Sequence, residues 1–148
     1  MGCDIHSVAQ VKRNNQWITV ESKIGKDARD YELFGLLAGV RGWSEPIHEP
    51  RGVPSDFDMI NQYHTFYDKK IFDTNIFYMG EHTYSYYTLE ELNDVYDKQN
   101  KPCETCGRYK TDDVIRADLT WIISHLNKIK EEYIAEDSDI RLVFGFDS

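Results

Sequence analysis

An alternation of side-chain character at both ends of the chain constrains the fold more than any other feature. From residue 3 to residue 12, Ile5, Ser7, Ala9 and Val11 fall on one face of an extended strand, and Asp4, His6, Val8 and Gln10 fall on the other. Successive side chains in a strand point to opposite faces. After Ser138 the pattern returns, with Ile140, Leu142, Phe144 and Phe146 on one face and Arg141, Val143, Gly145 and Asp147 on the other. Two strands that each carry an apolar face bury it together by lying in one sheet. The two chain ends are therefore expected as sheet neighbours, with Asp4, His6, Arg141 and Asp147 on a shared second face.

The segments between the ends supply the other elements. Arg13-Asn14-Asn15-Gln16 is rich in turn formers and precedes the β-branched and aromatic run Trp17-Ile18-Thr19-Val20, so the N-terminus reads as a hairpin. Asp30 is placed to cap a helix from Tyr31 to about Gly42, apolar nearly all round, with Gly35 and Gly39 open to a close backbone neighbour. Residues 41–58 hold Pro46, Pro50 and Pro54, three of the four prolines, and read as a long loop of the kind that often carries function. Within the Tyr/Phe-rich stretch 58–79, a strand is expected at Ile71–Tyr78 after a short helix. Thr88-Leu89-Glu90-Glu91 fits a capping box and opens a helix of about ten residues. Residues 98–110 form a polar excursion. Asp112 or Asp113 then caps the longest helix, whose apolar stripe runs Ile115, Leu119, Ile122, Leu126, Ile129 and Tyr133. The expectation is a single α+β domain over residues 1–148: a small antiparallel sheet containing the N-terminal hairpin and the C-terminal strand, packed by about three helices.

Composition removes several classes of function. Acidic residues outnumber basic ones 26 to 17, a net charge of −9. That sign disfavours binding along a nucleic-acid backbone and suits attraction to a basic protein surface. There is no run of about 18 apolar residues to span a membrane. Asp4 and His6 stand where a signal peptide carries its apolar stretch. Met1-Gly2-Cys3 superficially fits an acylation signal, but His6 replaces the usual Ser or Thr. Three cysteines do not make a disulfide framework, so a reducing cytoplasm is the expected compartment.

Four constellations could carry chemistry. Asp4 and His6 share a strand face, where a carboxylate can orient an imidazole or share a metal with it; a solvated strand face is the alternative. Arg51-Gly52-Val53-Pro54-Ser55-Asp56, with Arg41 upstream, could present a guanidinium to a phosphate or carboxylate; alternatively Asp56 and Asp58 could simply pair with these two arginines and hold the loop down, or Ser55 and Asp56 could cap a short helix. His82, followed by Tyr84 and Ser85, could be a metal ligand or general base, or a structural histidine. Cys103 and Cys106, followed by Gly107, match half of a structural zinc site. Cys3, His64, His82, His125 or a second chain could complete it; a redox dithiol and a metal-free surface turn are the other readings. A Gly-rich phosphate loop, a zincin helix motif and a nucleophile elbow are all missing from the sequence.

The opening Met1-Gly2-Cys3-Asp4-Ile5-His6 resembles a family of small bacteriophage proteins with that same start. Asp30 to Phe34 with Leu37 to Arg41, Arg51 to Asp56, His82 with Tyr84 to Tyr86, Thr88 to Leu92 and the ending Arg141 to Asp147 are similar to it as well, so the likeness covers about half the chain. The chain departs from the family pattern near His82, where a Trp is usual and this chain has Tyr86 or Tyr87, and at Ala9-Gln10, where an acidic residue is usual. The resemblance implies a phage origin and the host cytoplasm as the workplace.

Two functions fit these observations. One is an accessory protein that binds or inhibits a host factor, a defence component being one target, through an acidic and Tyr-rich surface. The other is a site in which Asp4, His6 and His82 hold zinc or another divalent metal or move a proton, while Arg41, Arg51, Asp56 and Ser85 hold a nucleotide or other small anionic ligand. A phosphoesterase is its natural reaction class. The sequence leaves open whether the chain is an enzyme.

Overall fold

In a computed structural model of the chain, the structure describes residues 2–22, 30–42, 46–57, 64–65, 77–100 and 119–147. Strand β1 (Asp4–Arg13) turns back into β2 (Gln16–Ser22). Asn14 and Asn15, with φ of 51° and 64°, form the two-residue turn. Paired positive φ is what the right-handed twist of a tight hairpin requires, and Asn tolerates it. The C-terminal strand β6 (Ile140–Asp147) pairs antiparallel with β1 from Asp4 opposite Asp147 to Val11 opposite Ile140. Strand β5 (His82–Thr88) completes the four-stranded sheet in the order β2-β1-β6-β5. The two ends of the chain are thus its central strands. A separate parallel pair joins β3 (His64–Thr65) to β4 (Phe77–Tyr78).

Helices α1 (Tyr31–Ala38), α2 (Leu89–Asn100) and α3 (Thr120–Tyr133) supply Leu33, Phe34, Leu37, Leu89, Leu92, Ile122, Leu126 and Ile129 to one core with Ala9, Val11, Ile140, Leu142, Phe144 and Phe146. The aromatic members meet edge to face: Phe34 and Phe146 at 5.1 Å, Phe144 and Phe146 at 5.8 Å. Such pairs add about 0.5–1.5 kcal/mol each beyond the burial of their area. The α+β class, the antiparallel sheet and the three helices agree with the sequence reading.

Several details differ from it. Helix α1 stops at Ala38, not near Gly42: Gly39 takes φ 72° as the C-cap and its amide donates to the Gly35 carbonyl. The expected second face of β1 is neither solvated nor open as a whole. Val8 and Gln10 are fully buried, and Val8 joins Phe57, Met79, Tyr84 and Val143 in a smaller cluster flanked by Val53 and Tyr86. Both faces of the central strands are therefore covered. Alternation marks which residues share a face, but Val8 and Val143 on the polar face already carried the apolar surface that attracts a cover. Helix α3 is described from Thr120. Ile115, the expected caps Asp112 and Asp113, most of the 98–110 excursion and most of the stretch expected as a strand at Ile71–Tyr78 lie outside the described residues. Among the described residues no helix is long and apolar enough to cross a membrane.

Candidate functional site

A cleft of about 830 Å³ opens where the start of β1, the C-terminal end of α1 and the start of β5 meet. It is lined by Cys3, by Ala38, Gly39, Val40 and Arg41, by Pro46, Glu49 and Pro50, and by His82 and Thr83. The chain reverses sharply after α1 because Gly39 caps the helix, and Pro46 packs against that glycine. Arg41 follows with φ 68°, and its guanidinium lies 5.1 Å from the ring centre of Tyr31. Strand β5, which also lines the cleft, bulges between His82 and Ser85, with Thr83 at φ 58°. His82 Nδ1 and Thr83 Oγ1 are 2.7 Å apart, and the imidazole stacks on Phe146.

The left-handed residues separate into two kinds. Five non-glycine residues have positive φ among the described residues. Asn14 and Asn15 make the hairpin turn, and Ile134 is the C-cap of α3. Arg41 lies in the 3-10 turn Val40–Gly42 and Thr83 at the bulge of β5, and both line the cleft. A β-branched residue in this region is strained by roughly 1–2 kcal/mol. Backbone strain of this kind concentrates where a site over-determines its walls.

Cys3 is fully buried beneath the cleft, with its amide donating to the Tyr31 hydroxyl at 3.3 Å. Burial pushes its thiol pKa up; the hydrogen bond and charge of Arg41 oppose this, and Asp4 and Asp147 reinforce it. Burial thus favours the protonated thiol over the thiolate.

The other residues singled out by sequence fall into three groups. His6 Nε2 lies 2.5 Å from Asp147 Oδ2, and Asp4 faces Asp147 directly across the strand pair. Arg51 forks onto Glu91 and lies over the rings of Tyr86 and Tyr87 at 5.1 and 4.9 Å, while its amide donates to Ser85 Oγ at 3.1 Å. Asp56 accepts from Arg141 at 2.9 Å, and Gln10 accepts from the same guanidinium at 2.8 Å.

His82 pairs with Phe146, on the helix-packed face, whereas His6 pairs with Gly145, on the opposite face. The cleft takes Arg41 and His82 and leaves out Asp4, His6 and Arg51. Among the described residues no group of three or more His, Cys, Asp or Glu is arranged to hold a metal ion. Cys103 and Cys106 lie outside the described residues. The sequence reading did not anticipate Glu49 and Thr83 in the site. Pro46 and Pro50 marked the loop that brings Glu49 there, but no residue type announces a Thr in the left-handed region. No protein-family model, curated protein or solved structure matches the chain.

Proposed function

We propose that the cleft binds a small anionic ligand and that the protein works as a binding protein for it. The observation that carries this reading is the pairing of Arg41 and Thr83: each is a non-glycine residue held in a left-handed conformation, one in the short turn after α1 and the other at the β5 bulge, and both line the same cleft. Arg41 supplies the positive charge and the planar donors that suit a phosphate or carboxylate. His82 and Thr83 add polar groups to the lining. Ala38, Val40, Pro46 and Pro50 give an apolar surface for the rest of the ligand, the usual makeup of a small-molecule site. Glu49 disfavours a bare polyanion and suits a ligand that also carries a hydrogen-bond donor.

The test is calorimetric titration with inorganic phosphate and with a nucleoside monophosphate. The expected result is binding of the nucleotide more tightly than phosphate, weakened about tenfold or more by Arg41→Ala, the loss expected for one charge-assisted contact. Failure of both probes to bind, or unchanged binding by Arg41→Ala, would overturn the reading.

A second reading follows the phage-family resemblance: an accessory protein that acts in the host cytoplasm on a host protein. It is favoured by the net charge of −9 and by Tyr96, exposed on α2 beside the exposed Asp94 and Asp97. Charge reversal at Asp94 and Asp97 should abolish capture of the partner from a bacterial lysate. Capture that survives the reversal counts against it.

A further inference from the structure

A second charged centre lies away from the cleft, on the face of the sheet opposite the helices. Arg141 on β6 is 3% exposed. Its guanidinium carbon is 4.1 Å from the ring centre of Trp17 and 5.7 Å from that of Tyr86. Nε donates to Gln10 Oε1 and Nη1 donates to Asp56 Oδ1. Nη2 is buried and has no hydrogen-bond partner among the described residues. A buried donor on a charged group is costly to leave unpaired, so native structures seldom keep one without a reason.

Two features make this donor informative. The aromatic contacts hold the guanidinium plane, which leaves its donor edge as the part that can be recognised. The group that meets that edge, Asp56, has a side chain 59% exposed and engages Nη1 through one oxygen. A guanidinium edge with two parallel donors is matched by a carboxylate that uses both oxygens. Asp56 lies on the loop between Val53 and Phe57, both of which pack in the smaller cluster.

We propose that Arg141 is a carboxylate-binding site which Asp56 occupies as an internal stand-in, and which the carboxylate of another molecule takes when Asp56 swings out. The incoming group bridges Nη1 and Nη2 and so pairs the donor that Asp56 leaves unmet. Asp56 then acts as a built-in competitor that sets the affinity. The site is independent of the cleft: none of Arg141, Asp56, Gln10, Trp17 and Tyr86 lines it.

The experiment uses Asp56→Ala and the wild-type chain, titrated with sodium acetate against sodium chloride at equal ionic strength. The readouts are the thermal midpoint and the Arg141 Nε–Hε resonance by NMR. Acetate should raise the midpoint of Asp56→Ala more than chloride does and shift the Arg141 resonance. Binding to the wild-type chain should be about tenfold weaker because Asp56 competes. If Asp56→Ala is unfolded alone, recovery of its folded spectrum by acetate and not by chloride supports the site. A short oligoglutamate peptide distinguishes the source: tighter binding than acetate assigns the site to an acidic segment of another chain, and equal binding assigns it to small acids. Equal responses to acetate and chloride, or an unmoved Arg141 resonance, overturn the proposal.

Discussion

The guanidinium of Arg51 forks onto the carboxylate of Glu91, Nη1 donating to Oε1 at 3.1 Å and Nη2 to Oε2, and so ties the proline-rich loop to the first turn of α2. Glu91 is also the acid of the capping box. Its Oε1 accepts from the Thr88 amide at 3.0 Å, and its own amide donates to Thr88 Oγ1 at 3.2 Å. One carboxylate thereby joins loop, β5 and helix. Glu91→Gln keeps an acceptor for the capping box but removes the charge from the fork. It should lower stability by about 1 kcal/mol, since both partners are partly exposed. Arg51→Ala should cost more, about 2 kcal/mol, because it also loses the stack over Tyr86 and Tyr87. Urea unfolding of the two variants beside the wild-type chain measures both.

The same pair gives a pH dependence. Burial of Glu91 acts to raise its pKa, but the hydrogen bond and charge of Arg51 and the Thr88 contacts outweigh it, and the folded-state value is lowered. The unfolded chain therefore takes up the proton first as pH falls. The stabilisation is fully present above the ordinary glutamate value, about 4.3, and is lost as pH drops through the lower folded value. Glu91→Gln should be less stable than wild type at pH 7, and the gap should narrow as the pH is lowered from 7 to below the ordinary glutamate value. A gap that stays constant over that interval would mean the charge of Glu91 does not contribute.

Gly145 shows a different kind of constraint. It lies opposite His6 in the central strand pair, and the Tyr84 ring covers it while the Tyr84 hydroxyl donates to the Gly80 carbonyl at 2.7 Å. A Cβ at residue 145 would fall 2.3 Å from the Met79 carbonyl oxygen and 2.4 Å from Tyr84 Cδ1. The first of these is backbone and cannot turn aside. Gly145→Ala should destabilise the protein by about 3 kcal/mol, at the upper end of overpacking costs. Gly52→Ala is a useful contrast, because nothing lies within 4 Å of a Cβ there and its cost comes from φ 80° alone. Thermal melts of both variants should rank Gly145→Ala as the more damaging.

Much of this architecture is legible in the residues. Alternation at Asp4–Val11 and Ile140–Asp147 gives the strand pair, and the stripe Ile122, Leu126, Ile129 gives the buried side of α3, because both periods are local properties of the backbone. Thr88 and Glu91 announce their capping box for the same reason. The partners of charged side chains are not local. Arg51 finds Glu91, Arg141 finds Asp56 and His6 finds Asp147 across 40, 85 and 141 positions. The sequence offers Arg41 and Arg51 as nearby partners for Asp56, yet its partner is Arg141, from the far end of the chain. The division of His6 and His82 between the two faces depends on the bulge at Thr83, which shifts the register of β5 against β6. A one-residue slip of this kind exchanges faces and leaves no trace in composition.

That bulge provides the sharpest test of the cleft. Thr83 is β-branched, sits at φ 58° and holds its hydroxyl 2.7 Å from His82 Nδ1. Replacing it by glycine removes the left-handed strain, roughly 1–2 kcal/mol, and adds back about 0.4–1 kcal/mol through the greater freedom of the unfolded chain. Thr83→Gly should therefore be as stable as the wild-type chain or slightly more so, by about 0.5 kcal/mol. Thr83→Ala keeps most of the strain and loses the hydroxyl, so it should be no more stable than wild type. Both variants lack the contact that fixes His82, and both should bind the nucleotide ligand more weakly. Stability that holds while affinity falls is the pattern of a strained residue retained for a site. A marked loss of stability in Thr83→Gly would show instead that the threonine supports the fold, and the left-handed geometry would then lose its link to the ligand.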